Sequence, residues 1–438
     1  MICWFAIGTL INQSQAKQTE MHRSPRPSLK NPFIFFIGVM LLTLLDTTPA
    51  LAVKTNRKDD APTHTVTIHS LSLVLIRQEE LTSKALPFFD PVITDNGIKG
   101  AELGIQDNNT TGQFTHQSFI LKVISLPPEA DTQESFKNLV SQGFQHFLLE
   151  IPPEKFVEIS KLKEANDVLL YDIANRDDRL RAADCAINTL HLIPNRRMRS
   201  DAIAQYLSKK RWNKWFVAIG PSKDDALYAE AIRQSAKKFG AKIIEERLWH
   251  YAAENRRTPE AEIPLFTQDG DYDVMFVVDE EGIFGELMAY RTWLPRPIVG
   301  TQGLMATAWH KTHEAWGGLQ LQNRFKALSG RWMTEEDYGA WLAIRSIGEA
   351  ASRTQSLDFV EIKSYLFGPE FSLAGFKGVP LSFRSWDHQL RQPILLVADR
   401  SWIAAAPIEG FLHPKNELDT LGFDEPESTC HFRENRTP

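Results

Sequence analysis

Two short polar strings stand directly after hydrophobic runs and carry side chains able to grip a small polar molecule. "ANRDDR" follows "DVLLYDI" and sets Asn175, Arg176, Asp177 and Asp178 side by side, so donors and acceptors alternate within four residues. "DEEGIFG" follows "YDVMFVV" and offers Asp279, Glu280 and Glu281, which can accept hydrogen bonds from an ammonium or a hydroxyl, with Phe284 as an apolar surface. A third string, "GTQG" from Gly300 to Gly303, adds Thr301 and Gln302 as further polar contacts at a hinge near the same place. The chemistry of this set is recognition by hydrogen bonds and ion pairs, with no bond made or broken. Each string also has a plainer reading. Asn175 to Asp178 can be a solvated turn with an internal ion pair. Asp279 to Glu281 can serve only the N-terminus of the helix that follows, and Phe284 can be a core residue.

Other reactive-looking patterns do not hold together. In "GIKGAELGIQDNNTTG" the glycines fall at 97, 100 and 104. That is neither G-x-G-x-x-G nor G-x-x-x-x-G-K-[ST], so the phosphate-cradling loops are excluded. Ile98, Ala101 and Ile105 share one helical face, so the glycines start and thin a helix that packs closely on a sheet. "WHKTH" spaces His310 and His313 three apart, with no carboxylate at metalloprotease spacing, and reads as surface histidines. "DNNTTG" lacks the alternating acids of a calcium loop, and no G-x-S-x-G elbow supports a serine hydrolase. The clusters "RRMR" and "KKRW" read as solvated helix faces. A formal net charge of -6 leaves no electrostatic footprint for nucleic acid.

Recognition residues need elements to hold them. The 438 residues are 43% hydrophobic and 24% charged with 11 Trp, a globular composition. The N-terminal part differs. Basic "RSPRPSLK" precedes an unbroken apolar run, Phe33 to Leu45, and then "DTTPALA" with Ala50 and Ala52 spaced as at a cleavage site. That order is a secretory signal peptide over 1–52, opening at Met1 or at Met21. The apolar run is shorter than the roughly twenty residues that span a bilayer, and no Cys follows it to carry a lipid. Residues 53–64 read as a flexible mature N-terminus. Of the 3 Cys, Cys3 leaves with the signal. Cys185 and Cys430 then form an even pair in an exported chain, either a disulfide or two unpaired thiols.

From residue 65 the chain alternates Leu/Ile/Val-rich runs with helical stretches, the pattern of parallel strands buried on both faces. The alternation runs to "DVLLYDI", starts again at "NTLHLI", and breaks near 300, where two long amphipathic helices follow. Two α/β lobes are therefore expected. Ligands of open parallel sheets bind beyond the carboxyl ends of the strands, which is where Asn175 to Asp178 and Asp279 to Phe284 stand.

The same strings carry a resemblance. "GIKGAELGIQDNNTTG" resembles the first-helix signature of type I periplasmic binding proteins of the leucine/isoleucine/valine class. "KWFVAIGPSKDDALYAEAIRQSAKKFGAKIIEE" is similar to that class's second-lobe strand–helix–strand, and "PIVGTQG" to its return to the first lobe. "DYGAWLAIRSIGEAASRT" looks like its long late helix, and "LSFRSWDHQLRQPILLV" like its closing hairpin. The longer strings "ADCAINTLHLIPNRRMRSDAIAQYL", "EIPLFTQDGDYDVMFVVDE" and "EGFLHPKNELDTLGFDEPES", with the cysteine pair, resemble the subfamily linked to pyrroloquinoline-quinone (PQQ)-dependent alcohol oxidation systems.

The resemblance implies two Rossmann-like lobes joined by a multi-strand hinge, lobe 1 as 65–187 and 300–354 and lobe 2 as 188–299 and 355–438. It implies a periplasmic, non-enzymatic receptor without cofactor, which feeds a small molecule to an ABC permease of the inner membrane. A periplasmic accessory or sensor of a PQQ-dependent dehydrogenase system is the alternative. Amino-acid-binding members hold the α-carboxylate with Ser/Thr-rich turns. Here the turn after "QHFLLE" is "IPPEK", without Ser or Thr, a departure that speaks against an amino-acid ligand; the resemblance to the PQQ-linked subfamily implies a metabolite of alcohol oxidation instead.

Overall fold

In the computed structural model the residues described are 68–79, 93–249 and 259–432. The expected signal peptide, 1–52, and the expected flexible N-terminus, 53–64, lie outside them. The first alternating run gives β1 (His69–Gln78), α1 (Ile98–Thr115), β2 (Gln117–Leu126), α2 (Thr132–Ser141), β3 (His146–Glu150), α3 (Pro153–Ser160) and β4 (Leu169–Asp172). "NTLHLI", expected to open the second lobe, instead gives β5 (Thr189–His191), the last strand of the first sheet. All five strands are parallel, in the order β2-β1-β3-β4-β5. Period-two alternation divides each strand between two cores. Leu73 and Leu75 pack with α1 and the late helices, while Val74 and Ile76 pack with Phe136 of α2 and Phe156 of α3.

The second run gives α4 (Arg196–Lys210), β6 (Lys214–Ile219), α5 (Lys223–Lys238), β7 (Lys242–Leu248), α6 (Pro259–Phe266), β8 (Val274–Val278), α7 (Gly285–Arg291), β9 (Ile298–Gly300) and β10 (Leu304–Thr307). After these come α8 (Gly318–Ser329), α9 (Glu335–Thr354), α10 (Phe359–Phe367), β11 (Leu373–Ala374), β12 (Pro380–Phe383), β13 (Leu390–Arg391), β14 (Ile394–Ala398) and β15 (Ser401–Ala406). The second sheet has the order β15-β14-β10-β9-β8-β6-β7, parallel except for β14 and β15. Trp215, Phe276 and Val278 face α4 and α5, and Phe216, Met275 and Val277 face Phe284 and Met288.

This is the expected α/β architecture, with details the strings did not carry. Residues 355–391 were expected with the second lobe, yet Ile362, Leu366, Leu373, Leu381 and Leu390 pack into the first core. β10 was expected with the first lobe and is a strand of the second sheet. The expected closing hairpin forms only in part, as the antiparallel pair of β12 and β13. β12 pairs with β11 and β13 in a small sheet of its own, while β14 pairs with β10 and β15.

Among the described residues, the chain passes between the two large sheets at Leu192–Asn195, Ala308–Trp309 and Gln392–Pro393. These segments are knitted together by side chains. Gln392 Nε2 donates to Leu192 O at 2.7 Å, and Gln389 Nε2 donates to Ile193 O at 3.0 Å. Lys377, 2% exposed, donates to Ala308 O and, at 3.0 Å, to Pro393 O. Among the described residues no helix is long and apolar enough to cross a membrane.

Gly100 and Gly104 of α1 face a helix rather than a sheet. A Cβ on Gly100 would stand 1.8 Å from Asp337 O, and one on Gly104 2.8 Å from Ile344 Cβ, both on α9. Backbone cannot step aside as a flexible side chain can. Gly100→Ala is therefore expected to cost about 1–3 kcal/mol through overpacking, read as a lower thermal midpoint with the wild-type circular-dichroism spectrum retained.

Candidate functional site

The loops after β3 and β4 meet those before α4 and α5. Lys223 Nζ at the start of α5 lies 2.6 Å from Glu154 Oε1 in the first turn of α3. Arg196 N donates to Arg176 O at 2.9 Å, and Arg197 N to Asp178 Oδ1 at 3.0 Å. The carboxyl ends of the two parallel sheets thus meet at a junction held where α4 begins.

On the first side, Asn175 is buried and hydrogen-bonds Asp172 Oδ1 through its N–H at 3.0 Å and Nδ2 at 2.9 Å. Asp177 is taken up by Arg179. Arg176 reaches Glu336 Oε1 at 3.0 Å and Glu335 Oε2 at 3.3 Å. Burial pushes the Asp178 carboxyl up to about 6, against the Arg197 N–H and the Arg196 charge.

On the second side, Asp279 accepts from the N–H groups of Ile283, Phe284 and Gly285 at 2.9, 2.8 and 2.6 Å, so its carboxylate caps α7. Phe284 is 2% exposed and stacks on Trp249 with ring centres 5.0 Å apart. Thr301 Oγ1 accepts from Asp279 N at 3.0 Å, and Gln302 packs beside Gly285. "GTQG" joins β9 to β10 within one sheet, and the crossing between lobes comes a few residues later at Ala308. Glu280 is held by Arg196, whose Nε lies 3.1 and 3.0 Å from its two oxygens, while Arg196 Nη2 also lies 3.0 Å from Asp224. Of the eight candidates, Arg176, Asp178 and Glu280 reach the charged network between the lobes. Asn175, Asp279, Phe284, Thr301 and Gln302 brace the loops behind it.

The sequence reading missed the centre of that network. "RRMR" is not a solvated face: Arg196, Arg197 and Arg199 are 6%, 7% and 8% exposed. Asn195 caps α4 through Met198 N, which aims the first turn of the helix at the junction. Arg199 Nη1 donates to Ala306 O at 2.8 Å and its Nη2 pairs with Glu335. Glu335 Oε1 accepts from Ala308 N at 2.5 Å and from Thr307 Oγ1 at 3.1 Å. Burial alone would raise the Glu335 carboxyl; Arg199, Arg176 and the Ala308 N–H outweigh it and hold it below the usual carboxylate range. The one signal within reach was "TEED", whose Thr334 and Asp337 form a capping box that marks the start of α9. Its direction toward the other lobe is a tertiary matter.

Other suspect groups are structural. His313 is 1% exposed, not at the surface, and its Nε2 is 2.8 Å from Phe376 O. His191 Nδ1 is 2.8 Å from Asp172 Oδ2, but its Nε2 lies 3.1 Å from Leu180 O, so the imidazole is spent within the loop. Among the described residues no group of three or more His, Cys, Asp or Glu could hold a metal.

The α/β fold with parallel central sheets matches periplasmic binding protein type I structures. A branched-chain amino acid ABC transporter periplasmic ligand-binding protein from Burkholderia xenovorans LB400 superposes with a TM-score of 0.64 at 14% identity, over 83% of this chain and 99% of that one. The leucine-, isoleucine-, valine-, threonine- and alanine-binding protein of Brucella ovis, in a closed conformation, gives 0.60 at 13% identity, over 82% and 96%. An ABC transporter solute-binding protein from R. palustris in complex with benzoate gives 0.59 at 12%, over 83% and 100%. No protein-family model and no curated protein sequence matches the chain.

Two outcomes follow from this geometry. Removing the Glu335 charge strands Arg199 in a buried site, so Glu335→Gln should cost about 3 kcal/mol, measured by urea denaturation. The buried Lys377 titrates low, near 7, because burial outweighs the attraction of Glu335. Its other titratable neighbours are Tyr338, whose ring lies under the ammonium at 5.2 Å, and His313. Unfolded, the lysine keeps its proton to about 10.4. Between those values the unfolded chain binds more protons, so this group makes stability rise with pH, by at most about 1.4 kcal/mol per unit. Denaturation midpoints measured from pH 7 to 10 should therefore rise less steeply, or fall, in Lys377→Met relative to wild type.

Proposed function

We propose that the protein is an exported solute-binding receptor of an ABC-type importer, acting in the periplasm and binding a small metabolite between its lobes without chemical change. The observation that carries this reading is the apposition of two parallel sheets by their carboxyl ends, with Arg176, Arg196, Asp178 and Glu280 converging at the junction. A ligand touching both sides gains contacts only when the lobes are together, so its binding energy drives closure. The partner on this reading is a membrane permease, and the N-terminal signal directs export.

The ligand we infer is a small polar product of alcohol oxidation, in a pathway served by a PQQ-dependent dehydrogenase. Two features support it. The turn after β3 carries Pro152 and Pro153 and no hydroxyl side chain, and its Glu154 is engaged by Lys223. The R. palustris neighbour holds benzoate, so the fold accepts an acid that has no amino group.

One observation favours the second reading, an accessory or sensor of such a dehydrogenase system. The charges of the cleft already satisfy one another: Arg196 with Glu280 and Asp224, Arg176 with Glu335 and Glu336. A protein that closes on its own ion pairs needs no solute to do so.

Thermal-shift and calorimetric titration of the mature protein against alcohols, aldehydes and short carboxylic acids separates the two. A true ligand at a hundredfold excess over its Kd stabilises the fold by about 2.7 kcal/mol, and Glu280→Ala should abolish that gain. Silence toward every solute, with co-purification of a dehydrogenase, would overturn the receptor reading.

A further inference from the structure

The last 26 described residues do not simply trail from the second lobe. After β15 the chain runs back over α4 and α5. Ile408 and Leu421 enter the second core, Gly422 N donates to Asp201 Oδ2 at 3.0 Å, and Lys238 Nζ donates to Thr420 O at 2.8 Å and Gly422 O at 3.1 Å. Gly422 has φ +79, and a Cβ there would stand 2.7 Å from Met198 Cγ, so the segment lies hard against α4.

The other side of the same segment is held by the first lobe. Arg384, 1% exposed beside the first-core residue Phe383, donates to Asp419 at 3.1 Å and to Leu421 O at 2.7 Å. Arg391 donates to Asp419 at 2.7 Å. Beyond Phe423 the chain leaves the second lobe altogether. Phe432 stacks on His388 at 4.2 Å, and Cys430 is joined to Cys185, in the loop after β4 that also carries Asn175 to Asp178.

The C-terminal segment therefore starts in one lobe and ends covalently in the other. We propose that it is a fourth strap across the hinge, closed by the Cys185–Cys430 disulfide, and that its redox state sets how far the lobes move. Three backbone crossings permit rotation about their common line. A fourth attachment, which starts beside the crossings at Asp419 and Gly422 and runs on to the loop bearing Arg176 and Asp178, restricts it and that loop as well.

The bond can be reached, because Cys185 is partly exposed although Cys430 is 9% exposed. A dithiol cleaves it by exchange. Its thiolate attacks one cysteine sulfur and expels the other as a thiolate; its second thiol then closes on the mixed disulfide and releases the attacked sulfur, so the reagent leaves as a cyclic disulfide while Cys185 and Cys430 become thiols. Two electrons and two protons pass from the dithiol to the protein. The inference stands on connectivity alone and does not need the receptor reading, since its readout is motion rather than ligand.

The test is native hydrogen–deuterium exchange of the full mature chain, oxidised and after dithiothreitol, with Cys430→Ser as a second route to the open strap. The amides of Leu192, Ile193, Asn195, Ala308, Trp309 and Gln392 should exchange about tenfold faster once the strap is cut, with β1, β3, β6 and β8 unchanged. Small-angle scattering should report a larger radius of gyration in the same samples. Cys430→Ser should match the reduced wild type and ignore further dithiol. Unchanged exchange at the crossings overturns the proposal. Uniformly faster exchange in both sheets also overturns it, because the bond would then be a staple of the whole fold.

Discussion

One buried carboxylate carries the junction between the lobes. Glu335 stands at the first turn of α9, a first-lobe helix, and accepts from Arg199 on α4, Arg176 beyond β4, and Thr307 and Ala308 where the chain crosses over. Taking a carboxylate and two guanidiniums out of water costs several kcal/mol per ion, and only near-complete hydrogen bonding offsets it. That requirement is strict about geometry. α4, α9 and the second crossing must all be correctly placed before the site can exist at all. A hinge built around it tolerates few intermediate arrangements, which suits a molecule with two lobes and a small number of preferred relations between them.

The cleft above that junction is ionic and internally paired. Arg196 is shared by Glu280 and Asp224, and Lys223 reaches Glu154 from the opposite lobe. The last pair is exposed on both sides and contributes little, at most about 1 kcal/mol. The deeper pairs are another matter, since burial leaves their charges no water to turn to and each depends on its partners.

Much of the fold was legible in the chain. The runs "SFILKVISL", "QHFLLEI", "DVLLYDI", "KWFVAIG" and "YDVMFVV" became β2, β3, β4, β6 and β8, because a strand covered on both faces needs continuous apolar residues. Strand ends pointed to the loops where the two sheets meet, and Arg176, Asp178 and Glu280 stand in the charged network there. The same logic could not separate residues that face the cleft from residues that brace it. Asp279 and Phe284 sit in the right loop and turn inward, one to cap α7 and the other to stack on Trp249. The arginines of "RRMR" were misread because a basic string on a helix is ordinarily solvated. Burial of three guanidiniums depends on carboxylates and carbonyls up to about 140 residues away in sequence.

Local sequence by itself determined the elements: apolar runs and their period, the caps at Asn195 and Thr334, and the α1 glycines that permit a close neighbour. These depend on interactions within a few residues, so they are written locally. Tertiary structure alone decided the rest. It chose α9 as the neighbour of α1, sent residues 355–391 to the first core, brought Glu335 to Arg199, and joined Cys185 to Cys430 across 245 residues. Such contacts depend on where whole sheets come to lie, and no window of sequence holds that information.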